Sequence, residues 1–263
     1  MQHRSMHWLL AAVTIPGGLA AQTVKCAPDN AGLKLPAGFC ATIFADSVGG
    51  ARELTVAPNG DVIVSTQAGR GGRAGGVVIL RDADKNGEAE VRQTYASGFS
   101  SSHVALFDGY LYTEAAPAGG GRGAPGEPPP AGTAIVRYAY KPGDMTPTGA
   151  PDTIVMNLPR VPGHATRNFA IASDGSMYVN VGSPSNSCQE TDRKPNVPGK
   201  DPCTELDTRA GIWTFDARKK NQTQSASNHF AKGIRNAVGI SMSPRRQALD
   251  DAARSRPTRR RRR

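Results

Sequence analysis

The chain is poor in the features that define several large protein classes. Aromatic residues make up only 6% of it. No apolar run approaches the ~20 residues that a membrane-spanning helix needs, so no membrane span is expected. Beyond the N-terminus no long stretch repeats its apolar residues at helical or heptad spacing, which argues against a helical domain. No CxxC motif or paired His suggests zinc, and no metal ligand is assigned. A one-signed charge is also missing from the body of the chain. The formal net charge is +10, but the last 19 residues, with nine Arg and two Asp, carry +7 of it and the remaining residues only +3. By count there is no basic face for a polyanion, and no nucleic-acid partner is expected.

What is present is punctuation: 30 Gly and 20 Pro among 263 residues point to many turns and short segments. The start, MQHRSMHWLLAAVTIPGGLAAQT, has a short polar lead with Arg4, an apolar run from Trp8 to Ile15, and small residues at Gly18, Ala20 and Ala21. That is the layout of a secretory signal peptide, assigned to residues 1–21, with a buried first helix as the alternative. A mature chain from Gln22 in the periplasm or outside the cell is then expected. The four cysteines suit such a compartment. They form two local sets, Cys26 with Cys40 and Cys188 with Cys203, each bracketing a turn-rich segment. An even count in an exported chain favours disulfides over metal ligation. Of the three possible connectivities the local one is expected, each closed loop contributing about 3 kcal/mol.

Three stretches resemble one another: LTVAPNGDVIVSTQ (54–67), HVALFDGYLYTEA (103–115) and FAIASDGSMYVNVG (169–182). Each reads as a strand, an Asn-Gly or Asp-Gly turn, and a second alternating strand. Such dipeptides suit tight hairpins whose two central residues both take positive φ. Between them lie GVVILRD, AEVRQTYA, TAIVRYAY, DTIVMNL and GIWTFD as further strands, and a fourth unit is expected to start at VGISMSP. A recurrence every 50 to 65 residues with four strands per unit predicts an all-β fold, a partial β-propeller of about three four-stranded blades. A β-sandwich with chance likeness among its hairpins is the alternative. The Gly/Pro-rich stretch 116–132 and the segment between Cys188 and Cys203 read as surface excursions.

Candidate chemistry sits just ahead of the hairpins. His164, in PGHATRN, precedes an inner strand, where propeller loops line the central channel, and its ordinary pKa suits a general base. A lone His is more often structural. Arg167, three residues on, is expected to be able to bind an anion. Arg235 and Asn236, in GIRN, hold the analogous place in the next unit, with a guanidinium fork and an amide. The stretch DADKNGEAE (82–90) matches the front of a calcium loop, but its twelfth position is Gln93 where a bidentate Glu is required, so a polar turn is the favoured reading. The NQT at Asn221 formally matches a glycosylation acceptor, a common chance match.

The N-terminal CAPDNAGLKLPAGFCATIFAD, the run H-x9-DG-x2-Y-V-x-V-G from His164, the PCTELDTRAGIW loop and GIRN together resemble the sorbosone dehydrogenase group of quinoprotein sugar dehydrogenases. Those are exported six-bladed propellers related to soluble glucose dehydrogenase, which uses pyrroloquinoline quinone (PQQ) and calcium. The resemblance runs from about Cys26 to Pro244. It implies that His164 is the base taking a substrate hydroxyl proton while hydride passes to the quinone, and that Arg235 and Asn236 contact the quinone carbonyls. A small sugar substrate and an external electron acceptor follow as partners.

The departures matter too. The family's calcium-binding region and several basic residues that hold the cofactor's carboxylates follow the GIRN segment in later blades, and they are absent here. GFSSSHVALF replaces a glycine-rich approach to the second blade, and His103 has no role assigned. A partial ring leaves open edges through which copies can self-associate. A non-catalytic propeller module that binds carbohydrate or protein is the competing function. The tail RRQALDDAARSRPTRRRRR (245–263) offers neither alternation nor β-branched residues and is expected to be disordered, out-of-frame translation. The propeller region is thus 22–244.

Overall fold

The structure, a computed structural model, describes residues 24–69, 74–117, 132–159 and 164–243. The expected signal peptide and the arginine tail lie outside the described residues, as does most of the Gly/Pro-rich stretch. No helix among the described residues is long and apolar enough to cross a membrane.

The alternating segments form three antiparallel meanders. The first contains β1 (Gly50–Val56), β2 (Val62–Gln67), β3 (Gly76–Arg81) and β4 (Val91–Ser97), hydrogen-bonded in that order. The second contains β5 (Phe99–Ser100), β6 (Val104–Phe107), β7 (Tyr110–Pro117), β8 (Thr133–Ala139) and β9 (Asp152–Leu158). Here β5 and β6 share one edge of β7, so the innermost strand is broken in two around Ser101, Ser102 and His103. The third contains β10 (Phe169–Ile171), β11 (Ser176–Val181), β12 (Gly211–Asp216) and β13 (His229–Lys232), again in order. All five intervening strand segments read from the sequence are present.

Two of the three hairpin turns differ from expectation. Only Asp108 and Gly109 both take positive φ, 50° and 76°, in a two-residue turn between Phe107 and Tyr110. The other two are three-residue loops, Pro58-Asn59-Gly60 and Ser173-Asp174-Gly175, in which the glycine alone is left-handed, at 93° and 94°. In each, the glycine N–H donates back to an alanine carbonyl, Ala57 at 2.8 Å and Ala172 at 2.9 Å. Proline explains the first case: its ring fixes a negative φ, which excludes a double positive-φ turn but suits a tight turn closed by glycine.

The sheets stack face to face. Along the middle sheet, Leu111 and Val136 join one apolar cluster with Ile63, Val77, Ile79 and Tyr95 of the first sheet. Their neighbours Tyr112 and Ile135 join the other with Phe169, Met177, Val179 and Trp213 of the third. Side chains alternate faces along a strand, so only a sheet covered on both sides shows this split. Each fully buried Ile, Leu, Phe or Met contributes about 1.5–3 kcal/mol relative to exposure. The short β6 lies against β1, β2 and β10, bringing the innermost strands of the three sheets together. This is the arrangement of propeller blades around an axis, and the fold is an open, partial β-propeller. On the outer two blades Leu54 and Val56 of β1 are each 58% exposed and Phe230 of β13 47%.

Both expected disulfides are formed, Cys26–Cys40 and Cys188–Cys203. The first staples the segment ahead of β1. That segment lies along the rim of the first blade, where Ala89 N–H donates to Phe44 O at 2.8 Å and Arg92 to Ser47 O at 3.2 Å. The expected first strand of a fourth unit is not formed. Residues 233–243 contain no extended strand. Side chains of the third blade hold them instead.

Candidate active site

The third blade brings the two candidate loops together at the end of β11. Ser183 N–H donates to the Arg235 carbonyl at 2.8 Å, drawing the GIRN segment across the strand end. On the same residue, the Ser183 carbonyl lies 2.8 Å from His164 Nδ1 and 3.4 Å from His164 N. A carbonyl only accepts, so Nδ1 carries the proton and the neutral ring keeps its lone pair on Nε2. His164 is half-buried. The Ser183 hydroxyl donates to Ser185 O at 2.5 Å, and the Ser185 hydroxyl to Glu205 at 2.7 Å. The base candidate is thus tied to the root of the disulfide-closed loop, where Cys188 N–H bonds Ser185 Oγ at 2.8 Å.

Gly182 is where the loops meet. A Cβ there would stand 2.5 Å from both His164 Cβ and His164 O, and 3.0 Å from Asn236 Oδ1. Only a residue without a side chain lets both approach so closely. Of the three candidates, then, the structure gathers His164 and Asn236 around one glycine and holds Arg235 beside them by its backbone. The Arg235 side chain is exposed.

Arg167 does not fit the anion-binding expectation. It is fully buried, and its guanidinium donates to the carbonyls of Thr166 at 3.0 Å, His164 at 3.2 Å and Pro159. It therefore pins the loop that carries His164. Burial pushes its pKa down to about 10, against the opposing pull of Glu114. Glu114 on β7 is buried too; burial pushes its carboxyl up, while the Ser102 hydroxyl and the Arg167 charge pull it back. A second buried arginine, Arg209, donates from Nε to Gly182 O at 2.8 Å. Burial, and then the Arg167 charge, also bring it down to about 10.

The sequence reading missed a set of polar residues on the axis. Glu53 and Asn168 each stand seven residues before their turn glycine, and His103 six before Gly109, whose turn is one residue shorter. They occupy the same place in successive blades. Glu53 Oε2 meets His103 Nδ1 and accepts from Asn168 Nδ2 at 3.1 Å, and Asn168 also donates to Val238 O at 2.6 Å. The signal was available in the repeat alignment: a polar residue at the head of each apolar inner strand. Asn180, between Val179 and Val181 on β11, was missed as well. It is fully buried, accepts from Ala237 N at 2.9 Å and donates to Asn236 Oδ1 at 3.0 Å and Thr166 O at 3.2 Å.

The 82–90 segment is a turn closed on itself. Asp82 accepts from the backbone of Asn86 at 3.1 Å and Gly87 at 3.0 Å, and Glu90 from Ala83 N at 2.8 Å. Its acidic groups, Asp82, Asp84 and Glu90, lie near one another on the rim of the first blade. Among the described residues no carboxylate hydrogen-bonds the side chain of His164, Arg235 or Asn236.

Three stacked antiparallel blades with polar loops converging on one end of the axis place the chain, by fold, among the β-propellers. No family model and no curated protein matches it. Among solved structures it is similar to the holo form of the PQQ domain of pyranose dehydrogenase from Coprinopsis cinerea, at 18% identity and a TM-score of 0.53 over 76% of this chain. It is also similar to a Trichoderma reesei carbohydrate-active enzyme of family AA12, at 15% identity and a TM-score of 0.55 over 77% of this chain. The chain spans 42% and 45% of the length of those two proteins. At such identities the likeness is one of fold.

Proposed function

We propose that the chain is part of an exported quinoprotein dehydrogenase that oxidises a sugar, of the aldose or sorbosone-like kind, with PQQ as cofactor. The observation that carries this reading is the meeting of His164, Arg235 and Asn236 around Gly182 and Ser183. Support comes from the similar folds of a PQQ domain and an AA12 enzyme.

The residues fit the quinone end of PQQ on their chemistry. An exposed guanidinium and a side-chain amide beside it suit carbonyl oxygens that gain negative charge. PQQ, when bound, supplies the two-electron acceptor for hydride. His164 Nε2 takes the proton of the substrate hydroxyl as the hydride leaves its carbon. The Ser183 carbonyl fixes the tautomer that leaves Nε2 free and stabilises the ring once it is protonated. Arg235 and Asn236 would hold the cofactor oxygens. Arg167, by tying three carbonyls of one loop, keeps His164 in register. No step is assigned to calcium. The two disulfides favour an oxidising compartment, in keeping with export.

The test is reconstitution of the purified chain with PQQ and calcium, following dye reduction with a panel of aldoses and sorbosone. Sugar-dependent reduction lost in His164→Ala supports the reading; reduction that persists in that variant contradicts the role of His164.

A further inference from the structure

We propose that Asn180 is a positioning residue that sets the amide of Asn236, so that Asn236 presents its NH2 to the ligand and keeps its oxygen turned away. Position 236 then offers the ligand a donor only, matched by an oxygen that takes a hydrogen bond, such as a carbonyl or an oxyanion, and mismatched to a group that only donates, such as an ammonium.

The orientation follows from partners that have no choice of role. Asn180 is fully buried, so each of its polar atoms needs a partner. Its Oδ1 lies 2.9 Å from Ala237 N, a backbone group that only donates. Its Nδ2 lies 3.2 Å from Thr166 O, a backbone group that only accepts. Turning the Asn180 amide over would set NH2 against N–H and oxygen against oxygen, both buried, so its orientation is fixed by chemistry. The remaining hydrogen on Nδ2 points to residue 236 at 3.0 Å and requires an acceptor there. Asn236 therefore turns its oxygen inward and its NH2 outward. No described residue accepts from that NH2.

Two further contacts tie this residue to the site. Through Thr166, two positions after His164, Asn180 also holds the base-carrying loop. Through Gly182, two positions on along the same chain, the inward oxygen of Asn236 packs beside His164. One buried amide thus touches both candidate loops, beside the Ser183 and Arg167 contacts that also hold them. The outward NH2 of Asn236 and the exposed guanidinium of Arg235 both donate, so the pair is matched to acceptor oxygens. The identity of the ligand as PQQ rests on the function proposed above; the orientation of the amide does not.

The experiment has two arms. In the first, side-chain NH2 exchange is measured by NMR on the chain without ligand, with Asn236→Asp used to assign the Asn236 pair. Both Asn180 hydrogens exchange slowly and the Asn236 pair fast; the reverse order overturns the inference. In the second, PQQ is titrated into single and double variants. Asn236→Asp keeps its acceptor for Asn180 but sets a carboxylate oxygen against the ligand, so it binds more weakly than Asn236→Ala; tighter binding than Asn236→Ala overturns the inference. Asn180→Ala loses about tenfold in affinity with Asn236 present and nothing further in Asn236→Ala. An equal loss in both backgrounds marks a merely structural residue and overturns it. If Asn180→Ala does not fold, Asn236→Asp and the exchange arm decide, since both leave position 180 intact. Failure of the unaltered chain to bind PQQ overturns the proposed function, while the exchange arm still judges the orientation.

Discussion

Gly182→Ala adds a single methyl carbon where the two candidate loops meet, and its effect can be worked from distances. The new carbon would stand 2.5 Å from His164 Cβ and 2.5 Å from His164 O, and 3.0 Å from Asn236 Oδ1. Carbon contacts settle near 3.5–4 Å, so the backbone of His164 must retreat by roughly 1 Å. It is not free to do so. Its Nδ1 and N both face Ser183 O, and its carbonyl is held by Arg167. Overpacking of this kind costs about 1–3 kcal/mol, or roughly 5 °C in Tm for a chain of this size. A base displaced by about 1 Å loses on the order of 100-fold in rate. Thermal unfolding by circular dichroism reads the first effect and dye reduction by the PQQ-loaded chain the second. Unchanged Tm and unchanged activity together would refute the claim that His164 and Asn236 close around this residue.

The buried charges give two more tests. Arg167→Met leaves the His164 and Pro159 carbonyls without a donor, Thr166 O with Asn180 alone, and Glu114 without its counter-charge, and is expected to cost about 3–5 kcal/mol in urea unfolding. Adding Glu114→Gln should recover part of that, and a double variant no more stable than the single one would contradict the pairing. The Arg81 guanidinium, bonded to the buried Asp61 carboxylate at 2.7 Å through both nitrogens, holds that carboxyl below its ordinary value. A lowered acid stabilises the fold above the unfolded pKa of 3.8 and stops doing so as pH falls through the folded value. Asp61→Asn should therefore lose about 2 kcal/mol at neutral pH and show a shallower loss of stability below about pH 4 in urea titrations. An identical acid profile for the two chains would contradict it.

The blades were legible because their signal is local. Alternation marks the strands, and a glycine closes each hairpin at Gly60, Gly109 and Gly175. The turn type was less legible: Pro58 and Ser173 lengthen two loops by a residue, and the dipeptides alone do not distinguish the cases. The disulfides were legible because each closes a short loop. His164 and the Arg235–Asn236 pair stand out in the sequence as polar residues at the entries to successive units. What brings them together was not legible, since Asn180, Gly182 and Ser183 act through contacts made only when β11 is folded. Arg167 was misread because a cation near a candidate base suggests an anion site in sequence. Its burial and its three carbonyl acceptors appear only in three dimensions.

The central claim is that His164, Arg235 and Asn236 form the quinone end of a PQQ site. Titration of the purified chain with PQQ, followed by absorbance, tests it most directly. Saturable one-to-one binding, weakened about tenfold or more by Arg235→Ala and by Asn236→Ala, is the predicted result. No saturable binding, or binding that neither substitution alters, would contradict it.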